Sequence, residues 1–287
     1  GSQVMKLQDL LAQTTQKFSA AGIESAQADA EILLGFVLGL NRGELLSQAI
    51  TGGEIDIAAL ETFLSLATRR AQREPLQHLT GVANFRTLEL QVGPGVFVPR
   101  FETETVVEKA LELLDAMELS APVVVDLATG SGAIALPIAV ERPSASVYAV
   151  ELSQDALNYT RVNFAKYAPG AVLLQGDLAE AFSDLKGKVD LLVSNPPYIP
   201  DEMIPIYPEV HLHDPAMALY GGSDGLDFVR KVVSRALELV RPGGKLVIEH
   251  ADMQGASVLQ VLLDYGWQNV ETGKDLAGRD RMVSASR

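Results

Sequence analysis

The chain has 287 residues, 47% of them hydrophobic and 21% charged, with no cysteine and a formal net charge of −14 at pH 7. This is a globular composition with material for one large or two small domains, and the missing cysteines exclude disulfides, thiolate metal sites and thiol nucleophiles. The acidic balance disfavours a nucleic-acid partner, whose non-specific affinity comes from Lys and Arg on phosphates, and no apolar run approaches the roughly 18 residues of a membrane span.

The N-terminus lacks a charged start followed by an apolar stretch, so no secretory signal is expected and a cytoplasmic location is. From residue 5 to about residue 73, apolar residues recur at spacings of three and four, as in Leu7, Leu10, Leu11 and in Ile32, Leu33, Phe36, Val37, Leu40. Gly22, Gly39 to Gly43 and Thr51-Gly52-Gly53 punctuate the pattern, which predicts a small bundle of about four or five helices. Glu74-Pro75 ends it. Residues 82 to 98 alternate apolar and polar around Gly93-Pro94-Gly95, which predicts a β-hairpin joining two domains. The expected division is therefore a bundle over 1–80, a hairpin linker over 81–100 and a second domain over 101–287.

A helix is predicted from Glu104 to Met117, with Thr103 as its cap and Glu102 and Glu104 favoured by its dipole. Arg100 is expected to form a structural ion pair with these acids. From Pro122 strands alternate with helices. Val123–Asp126, Ser146–Glu151, Ala171–Gln175 and Val189–Ser194 read as strands, and Gly130-Ser131-Gly132 and Asp155 open helices. A helix over Leu226–Val240 is stopped by Pro242-Gly243-Gly244. Then come a strand at Lys245–Glu249, a helix over 256–265 and two strands in the tail. This alternation describes an α/β domain with a mostly parallel sheet.

Three strand ends carry candidate ligand chemistry. Asp126-Leu127-Ala128-Thr129-Gly130-Ser131-Gly132 lies at a strand-to-helix junction, where small residues admit a ligand close to the backbone. Glu151 ends the next strand, about 25 residues beyond Asp126, a spacing that suits a carboxylate accepting from ribose hydroxyls. Asp177 and Leu178 follow the third strand, where a carboxylate can accept from an adenine amine and a leucine can pack on its ring, or the Asp can serve a turn. Ala135 stands where a dinucleotide loop has its third glycine. That pattern favours S-adenosyl-L-methionine, which needs no pyrophosphate cradle.

Asn195-Pro196-Pro197-Tyr198 follows the fourth strand. The Asn195 side-chain oxygen and the Pro196 carbonyl are two acceptors that can hold an NH2 group by both hydrogens, and the prolines fix φ and donate no N–H. Tyr198 is placed to stack on a planar amide. Holding an NH2 in this way leaves the face of its nitrogen free to attack an electrophile. Four histidines, including His211 and His213 in a predicted loop, are thin material for a metal site, and none is expected.

These segments, with Glu74-Pro75-Leu76-Gln77-His78-Leu79-Thr80-Gly81, Phe97-Val98-Pro99-Arg100, Thr103-Glu104, Pro208-Glu209-Val210, Asp214-Pro215 and Ala218 to Leu226, give the chain a resemblance to the release-factor glutamine N5-methyltransferases, the HemK/PrmC family. The resemblance covers nearly the whole length. It implies a helical N-terminal domain that docks the substrate, then a Rossmann-like methyltransferase domain with a mostly parallel seven-stranded sheet. The implied reaction moves a methyl group from S-adenosyl-L-methionine to the glutamine amide in the Gly-Gly-Gln motif of peptide chain release factors. The implied cofactor residues are Ala128, Thr129, Gly130, Ser131, Gly132, Glu151, Asp177, Leu178 and Asn195. The implied substrate residues are Asn195, Pro196, Pro197 and Tyr198, with Asn195, Pro196 and Tyr198 at the chemistry. Ala128, Phe101, Asp214 and Ala251 stand where the family commonly has Gly, Pro, Glu and Gly.

The expected partner is a release factor, with no direct nucleic acid, no membrane and no second copy of the chain. Three rival readings stay open at this point, one of them a small-molecule methyltransferase, which would leave the helical domain without a purpose. An adenine-N6 methyltransferase would hold its exocyclic amine with the same tetrapeptide, and a non-catalytic module could keep the fold alone.

Overall fold

The computed structural model describes residues 5–196 and 225–287. The Pro197, Tyr198, His211, His213, Asp214 and 218–224 positions lie outside the described residues. The chain divides into two compact units that meet in sequence between Gly81 and Val82. Among the described residues no helix is long and apolar enough to cross a membrane.

The first unit holds helices α1 (Leu7–Ala20), α2 (Ala26–Leu38), α3 (Arg42–Ile50), α4 (Ile57–Ala71) and α5 (Leu76–Thr80). A two-residue pairing of β1 (Met5–Lys6) with β2 (Glu54–Ile55) ties the start of α1 to the start of α4. The three-and-four spacing puts Leu7, Leu10, Thr14 and Phe18 on one buried face of α1. Leu7, Leu10 and Phe18 pack with Leu33, Leu34, Leu45 and Phe63 in a single core. Asn41 and Glu44 form a reciprocal capping box at α3, and Asp56 accepts from the Ala59 N–H at α4. Arg70 and Asp29 form a buried ion pair: Arg70 Nε lies 2.9 Å from Asp29 Oδ2, with both side chains under a tenth exposed. Ser25 donates to the other Asp29 oxygen, and Arg70 donates to the Glu74 carbonyl.

The second unit holds hairpin strands β3 (Val82–Phe85) and β4 (Leu88–Gln91), then α6 (Thr103–Met117), β5 (Val123–Asp126), α7 (Ala135–Glu141), β6 (Ser146–Glu151), α8 (Gln154–Tyr167), β7 (Val172–Gln175) and β8 (Val189–Ser194). It closes with α9 (Asp227–Leu239), β9 (Val240–Glu249), α10 (Gly255–Asp264), β10 (Gln268–Lys274) and β11 (Asp280–Ser286). Seven strands form one sheet in the order β10-β11-β9-β8-β5-β6-β7. The five from β9 to β7 are parallel, while β11 and β10 run antiparallel to their neighbours. Every residue of β8 is buried, as its apolar run requires of a strand covered on both faces. Leu192, Leu246 and Ile248 enter one core layer with α9 and α10, and Val193 and Val247 enter the other with α6 and α7.

Four local expectations are corrected. The hairpin turns at Arg86-Thr87, not at Gly93-Pro94-Gly95, and Arg86 takes a positive φ of 54°. Its guanidinium is held by Glu108 and Glu141, and its N–H by Glu104. The later glycines serve close approach instead: a Cβ on Gly93 would sit 2.2 Å from the Tyr159 hydroxyl on α8. Thr103 is the first helical residue of α6, not its cap, and its hydroxyl is buried without a partner. Arg100 lies over the Phe97 ring, 5.2 Å from its centre. Finally β9 begins at Val240, with Arg241 to Gly244 bulging between the Val189 and Leu191 pairings. The hairpin side chains Phe85, Leu88 and Leu90 pack with Val106, Val107 and Ala110 of α6, so the hairpin folds with the second unit.

Removing one partner of a buried ion pair strands the other charge. Asp29→Ala is expected to destabilise the first unit by about 3–5 kcal/mol in urea unfolding. A loss below about 1 kcal/mol would rank the pair with exposed ones.

Candidate functional site

The site is built where the sheet changes direction. From β5 the chain steps to β6 and β7 on one side and then to β8 on the other, so the C-terminal ends of β5 and β8 diverge into a crevice. Asp126 ends β5 and Asn195 follows β8, with the Leu127 N–H bonded to the Val193 carbonyl at 3.3 Å between them.

The loop after β5 is held from outside. The Thr129 N–H bonds the Val150 carbonyl at 3.1 Å, and the Gly132 N–H bonds the Thr129 carbonyl at 2.8 Å. On α8, Thr160 donates to the Gly130 carbonyl and Asn163 donates to the Ser131 carbonyl. Asn163 also exchanges hydrogen bonds with the Gln91 backbone, which ties the loop to the hairpin. Gly132 has φ +94°, and a Cβ there would meet Leu136 at 2.7 Å, so no other residue fits without movement. Gly130, also at positive φ, has open space where its Cβ would be. The helix expected to open at Gly130 starts at Ala135 instead, and Gly130 to Ile134 form a turn.

Glu151 binds the loop as well as facing it. Its Oε1 accepts from the Gly130 N–H and its Oε2 from the Ser153 N–H, both at 2.8 Å. Each oxygen keeps a lone pair for a hydroxyl. Burial raises its pKa above the ordinary glutamate value, and the backbone donors oppose that shift. Ala128 is half-buried, while Thr129 and Ser131 are buried, and the Thr129 hydroxyl has no partner. Asp177 is exposed, and its carboxylate accepts from the Ala179 N–H at 2.9 Å in a local turn. Leu178 turns into the core with Val150 and Phe182.

Asn195 and Pro196 close the strand end. Pro196 is buried, and the Asn195 Oδ1 atom is buried with no hydrogen bond. A stranded acceptor of this kind costs free energy unless something else fills it. The structure thus brings together the 128–132 loop, Glu151 and Asn195 along one sheet edge. Asp177 and Leu178 lie at its far end, after the edge strand β7.

Two acids that the sequence reading left out of the site share this edge. Asp126 is 1% exposed and Glu249, at the end of β9, is 0% exposed. Burial is the main cause pushing each carboxyl up to about 7. Asp126 Oδ1 accepts weakly from the Ala128 N–H at 3.3 Å, and Oδ2 has no partner. Thr103 lies beside Glu249, but neither carboxylate oxygen of Glu249 makes a hydrogen bond of normal geometry. His250 is buried and held below its ordinary pKa by desolvation, with Nδ1 2.6 Å from the Ala251 carbonyl.

The unpartnered oxygens, the small-residue loop and the strand-end carboxylate fit an adenosyl ligand with two ribose hydroxyls. The comparisons agree. Residues 9–81 match the family model described as PrmC N-terminal domain, and residues 89–204 match the one described as Methyltransferase small domain. The chain is 48% identical to the release factor glutamine methyltransferase of Streptomyces coelicolor, over 96% of each chain. It is 41% identical to the protein of that name in Bifidobacterium longum, over 98% of this chain and 99% of the relative. A methyltransferase crystal structure from Pyrococcus furiosus superposes with a TM-score of 0.51 at 18% identity, covering 70% of this chain and 89% of that one, which speaks to the fold.

A carboxyl whose pKa rises on folding contributes full stability below its unfolded value and loses it as pH climbs through the folded value. For Glu249 that window runs from the ordinary glutamate value of 4.5 to about 7. Between pH 4 and pH 8, Glu249→Gln is expected to gain about 3 kcal/mol relative to the wild type in urea unfolding, at ~1.4 kcal/mol per pKa unit. A difference that stays constant with pH would contradict the raised carboxyl.

Proposed function

The chain belongs to the release factor glutamine methyltransferases, and on that premise we propose which of its residues perform the reaction. It methylates the side-chain amide nitrogen, N5, of a release-factor glutamine, with S-adenosyl-L-methionine as donor. Membership in this family sets aside the adenine-N6, small-molecule and non-catalytic readings. Within the release factor we take the target to be the glutamine of the Gly-Gly-Gln motif.

The buried, unpartnered Asn195 Oδ1 at the switch point carries the assignment. The target amide is a weak nucleophile because its lone pair is delocalised. When bound, S-adenosyl-L-methionine supplies a methyl group already activated by a sulfonium. The remaining task of the chain is alignment, and near-attack placement is worth several kcal/mol. Asn195 Oδ1 and the Pro196 carbonyl accept the two amide hydrogens, leaving the nitrogen face open. Both acceptors bind more strongly as the nitrogen gains positive charge, so they stabilise the transition state selectively. Pro197 and Tyr198, outside the described residues, complete the substrate grip in this reading. Glu151 holds the ribose hydroxyls, Ala128 to Gly132 cradle the donor, and Asp177 and Leu178 meet the adenine.

The domain roles follow the division at residues 1–80, 81–100 and 101–287, with the bundle docking the release factor. Support comes from an apolar groove beside Leu11, Ala12, Leu46 and Ile50, the last 81% exposed. In this reading the chain acts as a monomer. The net charge of −14 supports a protein partner over nucleic acid, and a cytoplasmic location matches where release factors work.

Mass spectrometry of a release factor incubated with the chain and S-adenosyl-L-methionine is expected to find one added methyl on that glutamine. Asn195→Ala is expected to abolish transfer while weakening donor binding only modestly, and near-normal turnover would reject the assignment. Deleting the bundle is expected to raise KM for the intact release factor or abolish its methylation, and unchanged kinetics would count against docking.

A further inference from the structure

We propose that Glu249 is a catalytic residue of the methyl transfer: its carboxylate takes the proton that the glutamine amide sheds. The inference rests on the functional reading above and gives a role to a group which that reading leaves idle.

Strand alternation supplies the geometry. Ser194 of β8 pairs with Ile248 of β9 in parallel register. One residue further along each strand, Asn195 and Glu249 continue the side of Val193 and Val247, from backbones about 4.8 Å apart. Asp126 continues the side of Val124 on β5, beyond Asn195. Asp126 pairs with Val193, two residues short of Asn195, so the carboxyl level with Asn195 is that of Glu249.

Glu249 lacks the partners of a structural acid. Buried Asp29 is paired with Arg70, and buried Asp275 with Arg281 at 3.3 Å. Glu249 is fully buried with both oxygens unpartnered. The groups that face it are Arg281 from β11, Arg100 and Glu102 from the segment before α6, and Thr103 at the start of α6. Arg281, the cation on the neighbouring strand, is engaged by Asp275. With its carboxyl pushed up to about 7 by burial, Glu249 exchanges a proton near neutrality, where a general base works best.

The step balances. The nitrogen–methyl bond forms as the methyl–sulfur bond breaks, and that bonding pair stays on sulfur. The nitrogen then carries one proton in excess: the hydrogen held by Asn195 Oδ1 leaves that acceptor for the neighbouring Glu249 carboxylate, the N–H bonding pair stays on nitrogen, and Glu249 later returns the proton to solvent. No oxidant, reductant or metal enters.

The test is single-turnover methylation of a release factor by the full chain from pH 5.5 to 9, with donor affinity by calorimetry in parallel. The wild-type rate is expected to rise with pH and level off above about 7. Glu249→Gln is expected to lose that limb and to run about 100-fold slower at pH 8, with donor affinity unchanged. Glu249→Asp, which keeps a carboxylate, is expected to recover the limb at reduced rate. Infrared spectra of the donor-free chain at pH 6 are expected to lose one protonated-carboxyl band in E249Q. A limb that persists in E249Q would assign the ionisation to Asp126 and overturn the proposal. So would a wild-type rate in E249Q, or a wild-type profile that is flat between pH 6 and 8, which needs no variant. Absence of any transfer by the wild-type chain would overturn the functional reading itself, and the proposal with it.

Discussion

The pairing of β8 between β5 and β9 is the constraint on which the site depends. Side chains alternate along a strand, so a slip of one residue in β8 would turn Asn195 to the opposite face of the sheet. Two features prevent that slip. Every residue of β8 is buried, so both faces of the strand are specified by packing. The Leu127 N–H continues the β5–β8 ladder onto the Val193 carbonyl, past the last paired residues. The strand end is thereby held on one side by the loop that begins the ligand cradle, and any shift of β8 would move both.

The cradle is maintained by side chains that do not face the ligand. Thr160 and Asn163 on α8 take the carbonyls of Gly130 and Ser131, and Glu151 takes the Gly130 N–H. The two carbonyls are groups that a helix opening at Gly130 would have used internally, and the Gly130 N–H is one that such a helix would have left unpaired. The turn from Gly130 to Ile134 is accordingly rigid without being helical, and α7 is shortened to Ala135–Glu141. A loop fixed by a neighbouring helix presents its open side with little reorganisation, which is the condition for electrostatic preorganisation.

Much of this could be read from the residues. The β-branched runs at Ser146–Glu151 and Val189–Ser194 gave strands with those same bounds, and Asn195 was placed at a strand end. Local chemistry was ambiguous elsewhere. Gly93-Pro94-Gly95 has turn composition, yet its glycine is there because Tyr159 approaches too closely for a Cβ. Thr103 has the composition of a cap, but its hydroxyl faces the buried end of β9. Glu249 was missed as a site residue for a non-local reason. An acid that ends a strand is solvated or buried according to what lies over it, and here that is the start of α6, about 145 residues earlier in the chain. Leu178 follows a strand, and its side chain also packs in the core with Val150 and Phe182.

The three polar residues at this edge divide their work by chemistry. Asp126 and Glu249 are acids whose charge changes near neutrality, because burial opposes ionisation and little opposes burial. Asn195, between them, cannot titrate. A carboxylate in its place would share the same buried environment and would alternate between donor and acceptor as pH changed, so its grip on an NH2 group would alternate too. An amide oxygen is an acceptor at every pH. The residue that positions the nucleophile is thus insulated from protonation, and variation in charge is confined to its neighbours, where a proton can be taken up without loss of alignment.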